Sequence, residues 1–104
     1  MNITKITKNN FENEVIKSNI PVLIDFWSER CAPCMMFSPV IDELSGELSD
    51  AVKVCKLNVD EEQELAIQFG IMSIPTLVAI KDGKIVKSLV GVRSKTEIKG
   101  MFGL

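Results

Sequence analysis

Pro21-Val22-Leu23-Ile24-Asp25-Phe26-Trp27-Ser28-Glu29-Arg30-Cys31-Ala32-Pro33-Cys34 is the stretch that decides how this chain folds. From Pro21 to Trp27 it is a near-continuous apolar run of strand length, broken only by Asp25. Such a run suits a central strand buried on both faces. Beyond Cys34 the apolar residues Phe37, Val40, Ile41, Leu44 and Leu48 recur at helical spacing. They predict a long helix from about Cys34 to Leu48, kinked at Pro39, whose ring clashes with the preceding turn. The Cys-x-x-Cys pair therefore falls where a buried strand hands over to a helix.

That position has chemical consequences. The first turn of a helix leaves backbone N–H groups unpaired, and its dipole favours negative charge, so both act to stabilise a Cys31 thiolate. Arg30 adds a neighbouring positive charge. Cys34 should point into the first turn and be more buried. Cys31 would then attack a disulfide and Cys34 would resolve the mixed disulfide, with Pro33 limiting the freedom of the loop between them. A cysteine pair at this spacing is also read as half of a zinc site or as a structural pair. Zinc takes four ligands, and beyond this pair only Cys55 remains, with no histidine in the chain.

Working outward, residues 2–6 are a candidate strand. Asn9 with Glu12 reads as a capping box opening a short helix to about Ser18. Val52 to Val59 is a second buried strand, and Asp60 is placed to cap a helix through Phe69 that Gly70 ends in a left-handed conformation. Thr76–Ile80 and Lys84–Val90 read as strands joined at Asp82-Gly83, a hairpin turn signal. Ser94 with Glu97 makes a further capping box, opening a C-terminal helix that Gly100 and Gly103 weaken. Strand–helix–strand order demands parallel pairing through crossovers, and the closing hairpin adds antiparallel strands. The expected class is α/β: a mixed central sheet of about five strands flanked by four helices, in a single domain spanning 1–104.

Composition narrows the function. The chain has 104 residues, 46% of them hydrophobic, enough for one core without disulfide staples. Its net charge of −2 comes without runs of like charge, so no footprint for nucleic acid or anionic lipid is visible. The absence of histidine removes His-based acid–base catalysis and Cys-His nucleophile pairs. Met1 to Lys8 shows no apolar core of a signal peptide, and the Ile20–Trp27 run is too short to span a bilayer. Three cysteines, an odd number, do not suggest a secreted disulfide framework. These features point to a cytoplasmic protein of a reducing compartment.

The segment Phe26 to Pro39 resembles the active-site segment of the thioredoxin family. The resemblance continues in Lys56-Leu57-Asn58-Val59-Asp60, in Ile71-Met72-Ser73-Ile74-Pro75-Thr76-Leu77, and in Asp82-Gly83 followed by Val90-Gly91. It implies the thioredoxin fold and a protein-disulfide reductase that carries electrons without a bound cofactor or metal. Its implied partners are disulfide-containing client proteins and a thioredoxin reductase, with no nucleic acid or membrane involved and a monomer as the default. The implied catalytic set is Cys31, Cys34, Asp25 and Lys56. Asp25 would relay a proton to or from Cys34, and its apolar neighbours predict desolvation and a raised pKa. Pro75 would be a cis-proline facing the disulfide, and Ile74 would offer its backbone to an extended client segment. Trp27, Pro33, Val59, Gly70, Ile74, Pro75, Val90 and Gly91 would form a shallow docking surface. Plain core packing is the alternative reading for the apolar members, and for Val59 the two readings stand level.

The chain also departs from the family pattern. Arg30 stands where a second tryptophan is usual, and Ala32 replaces the usual glycine between the cysteines, so Arg30, Ala32 and Pro33 are expected to tune the redox pair. Met35 stands where lysine is common, and Ser73 where a small residue is frequent. Cys55, on a buried strand, reads as a small hydrophobe. Arg30 leaves a rival reading open, in which the same surface serves as a binding module and the thiols are incidental.

Overall fold

The apolar run of the sequence lies at the centre of a five-stranded sheet. The computed structural model describes residues 3–104. In chain order it contains β1 (Ile3–Lys5), a π-helical turn (Glu12–Ile16), β2 (Val22–Trp27), α1 (Ala32–Leu48), β3 (Lys53–Asn58) and α2 (Gln63–Gln68), followed by β4 (Thr76–Lys81), β5 (Lys84–Val90) and α3 (Lys95–Gly100). The strand order is β1-β3-β2-β4-β5. β3 pairs in parallel with β1 and β2, while β4 and β5 add on antiparallel. This is the mixed sheet that the order of elements predicts.

Alternation along β2 divides the core into two layers. Leu23 packs with Phe37, Ile41, Leu44 and Leu48 of α1 and with Ile98 of α3. Val22, Ile24 and Phe26 face the other way, toward Val15 of the π-helical turn and Leu65 of α2. There the Phe69 ring stands edge-on to Phe11 and tilted on Phe26, with centroids 5.7 and 5.1 Å away. Asp25 and Trp27 alternate onto the same face as Leu23, beneath α1.

Local structure follows the sequence signals closely at some ends and not at others. Asp82 and Gly83 adopt φ of 53° and 76°, the left-handed pair that a two-residue hairpin turn requires. Gly70 takes φ 68° beyond α2. Ser94 and Glu97 make both halves of their capping box. The expected strand Val52–Val59 is observed as Lys53–Asn58, and of the strand expected at 2–6, Asn2 lies outside the described residues.

Three expectations are corrected. Asn9 and Glu12 form no capping box, and no side chain caps the following turn. Asn10 serves this corner instead: its Oδ1 accepts from the Thr7 N–H (2.8 Å) and its Nδ2 donates to the Lys5 carbonyl (2.8 Å). The chain then winds as a π turn, with the Lys17 N–H donating to the Glu12 carbonyl at 2.9 Å, and it stops short of Ser18. Asp60 does not cap α2, which opens at Gln63 without a side-chain cap, because its carboxylate is engaged by Ser28 and Arg30. Finally, α1 begins at Ala32 rather than Cys34, making Cys31 its N-cap.

Candidate active site

Cys31 occupies the N-cap of α1 with φ −101° and ψ 104°, and its Sγ accepts from the Cys34 N–H at 3.2 Å. A sulfur thus does what a serine or aspartate oxygen does at other helix starts. Pro33 lies in the first turn, where its missing N–H has no helical acceptor to lose. The pair is joined as a disulfide with Cα atoms 5.2 Å apart. Cys31 is half-buried and Cys34 is buried, so a partner can reach only the first sulfur.

A second segment faces the disulfide. The Ile74–Pro75 peptide is cis, and the Ile74 carbonyl oxygen lies 3.8 Å from Cys31 Sγ. The Pro75 carbonyl accepts from the Gly91 N–H at 2.8 Å, which ties this loop to the end of β5. Cys31, Pro33, Cys34, Ile74, Pro75, Val90 and Gly91 therefore converge. Pro33, Gly70 and Val90 are exposed, whereas Ile74 and Gly91 are half-buried and Pro75 is buried. Trp27 instead lines a groove of about 200 Å³ with Ile3, Lys56, Asn58 and the charged Lys5, Glu29 and Glu61. Val59 packs against the α2-side core layer.

Some of the exposed rim is not evident from residue type. Met36 and Met72 are 80% and 95% exposed, and Met35 is 47% exposed. Met35 and Met36 directly follow Cys34, and Met72 stands just before the Ser73-Ile74 segment. Methionine in such positions ordinarily reads as core filler. Only its place beside the Cys-x-x-Cys pair marks it.

Asp25 is 2% exposed, and among the described residues its Oδ1 has no hydrogen-bond partner. Burial pushes its carboxyl up to about 7; Lys56 opposes that rise and Asp42 adds to it. Lys56 is in register beside Asp25 on the neighbouring strand. Its ammonium, however, donates to Ser38 Oγ at 2.5 Å and to Asp42 Oδ1 at 3.3 Å, both on α1. The lysine that the resemblance places near the carboxyl is thus near it along the backbone and bonded elsewhere.

Arg30 is similarly engaged. Its guanidinium donates to both oxygens of Asp60, at 2.8 and 3.4 Å, and Ser28 Oγ donates to the same carboxylate at 2.5 Å. Hydrogen bonds from Arg30 and Ser28 hold the Asp60 carboxyl below its usual range. The positive charge expected to act on Cys31 is paired, and the pair joins the nucleophile loop to the segment after β3. Cys55 lies in the α2-side layer, and burial pushes its thiol up to about 12. The sheet separates it from α1, so it supplies no third ligand to the pair.

The comparisons agree with this geometry. The thioredoxin family model matches residues 2–102. Thioredoxin 1 of Synechococcus elongatus is 50% identical over 93 residues, which cover 89% of this chain and 87% of that protein. Thioredoxin of Haemophilus influenzae is 46% identical over 96 residues, covering 92% and 90%. Thioredoxin of Rickettsia prowazekii is 43% identical over 96 residues, covering 92% and 91%. With a Cys-x-x-Cys disulfide at a strand-to-helix junction, a cis-proline loop against it and a buried aspartate in the preceding strand, the chain belongs to the thioredoxin family of thiol–disulfide oxidoreductases.

Proposed function

We propose that residues 1–104 work as one domain that reduces disulfides in client proteins and is recycled by a thioredoxin reductase. The Cys31 thiolate attacks one sulfur of a client disulfide. The client S–S bond breaks, a Cys31–client mixed disulfide forms, and one client thiolate leaves. Cys34 then gives up its proton and attacks Cys31 Sγ, releasing the second client thiolate and closing the Cys31–Cys34 disulfide. Two electrons pass from the dithiol to the client. Asp25 is the acceptor of the Cys34 proton, being buried and having a carboxyl that titrates near neutrality.

The observation that carries this reading is the asymmetry of the two sulfurs. Cys31 is accessible and accepts the Cys34 N–H, while Cys34 is buried. Pro33, Gly70, Ile74, Pro75, Val90 and Gly91 form the client face, and Ile74 offers backbone to an extended segment. Its carbonyl beside Cys31 Sγ supports that role. Ala32 and Pro33 tune the pair by restricting the loop, and Arg30 does so through its tie to Asp60. We place the carrier in a reducing cytoplasm as a monomer, because its third cysteine is buried and unpaired.

Dithiothreitol-driven reduction of insulin tests the reading. The wild type should accelerate turbidity and Cys31→Ser should fall to the dithiothreitol-only background. Cys34→Ser should accumulate client mixed disulfides. Wild-type activity no higher than background would refute the proposal.

A further inference from the structure

The lysine nearest the buried carboxyl is turned away from it. Lys56 sits in register beside Asp25, the natural place for a counter-ion, yet its ammonium is bonded to Ser38 Oγ at 2.5 Å and Asp42 Oδ1 at 3.3 Å. Ser38 and Asp42 are one turn apart on α1 and so present their side chains to one neighbour. Asp25 Oδ1 has no hydrogen-bond partner among the described residues. Among the described residues, the charged groups facing Asp25 are Lys56 from β3 and Asp42 from α1, and its β4 partner Leu77 carries no charge.

We propose that Ser38 and Asp42 are positioning residues that hold the Lys56 ammonium on α1 and so withhold it from Asp25. The serine is the discriminating member. It carries no charge, so its influence on Asp25 passes through where it holds the lysine. Asp42 acts twice, as an anchor for Lys56 and as a like charge toward Asp25. An ammonium brought a few ångströms closer to a buried carboxylate stabilises the ionised form. The significance of this arrangement for turnover rests on the proton role proposed for Asp25. The positioning itself does not.

The test is a ¹³C NMR titration of the Asp25 carboxyl in the oxidised full chain. Ser38→Ala should lower the Asp25 midpoint by roughly half a pH unit or more, as a released ammonium approaches it. Ser38→Thr, which keeps the hydroxyl, should leave the midpoint at the wild-type value. Lys56→Met should raise it, and adding Ser38→Ala to Lys56→Met should change nothing further. An unchanged midpoint in Ser38→Ala overturns the proposal, as does an equal fall in the Lys56→Met background. The pH profile of mixed-disulfide resolution separates this idea from the one beneath it. A midpoint that moves while the profile stays fixed upholds the positioning and refutes the proton role of Asp25.

Discussion

At the scale of single residues, the buried carboxyl of Asp25 costs the fold stability. Its carboxyl titrates near 7 in the folded chain against 3.8 when unperturbed, chiefly because burial disfavours the anion. Between those values the native state binds the extra proton, so stability falls as pH rises from about 4 to about 7 and is level above that. The gap corresponds to about 4 kcal/mol. Asp25→Asn should therefore be more stable than wild type by up to about 4 kcal/mol at pH 8, with the difference vanishing below pH 4, as read by urea unfolding. An unchanged difference across that range would show that the carboxyl is not held against its solvation. Cys55 gives a second expectation, since burial keeps its thiol up near 12. In the reduced native protein Cys31 should alkylate readily at pH 8, and Cys55 only after denaturation. Asp25, Cys31 and Cys34 were legible in the sequence because neighbours along the chain define their settings. Ser38, Asp42 and Asp60 were not, because each acts on a residue of a different element that only the fold brings near.

At the scale of elements, legibility followed how local the controlling interaction is. The Asp82-Gly83 turn and the Ser94–Glu97 box are closed by residues adjacent or one turn apart, and both form as read. The Asn9–Glu12 signal failed because Asn10 finds the Lys5 carbonyl at the end of β1, a competing partner that residue types alone do not reveal. The Asp60 signal failed because a cation and a hydroxyl from another loop claim the carboxylate. Two substitutions test the local devices. Ser94→Ala should cost about 1 kcal/mol by uncapping α3. Gly83→Ala should cost about 1–2 kcal/mol, because it forces a side chain into a left-handed position. The new Cβ would also meet the Ile16 carbonyl oxygen at 3.2 Å. Thermal denaturation reads both; a neutral Gly83→Ala would mean that the hairpin relaxes away from the π-helical turn.

At the scale of the whole molecule, the sheet is a partition. Ile41 belongs to the layer under α1 and Val15 to the layer under α2, with the sheet between them. Ile41→Val should cost about 1 kcal/mol and Val15→Ala about 2 kcal/mol. Their combination should be additive within about 0.5 kcal/mol, since the sites share no partners. Larger coupling in denaturant unfolding would show that strain crosses the sheet. The layered fold itself was readable early, because an apolar run between two helical patterns has few ways to be covered.

The same partition bears on the durability of the carrier. Every catalytic cycle passes through species in which a sulfur is open to exchange, and Cys55 is the one spare thiol in the chain able to divert it. While the sheet is intact, that thiol stands in the far layer, insulated from the traffic of electrons on α1. Unfolding removes the insulation before it breaks any covalent bond, and reshuffled pairings then become accessible to a chain that can no longer refold around them. The working lifetime of the redox pair is thus set by how long the sheet stays closed.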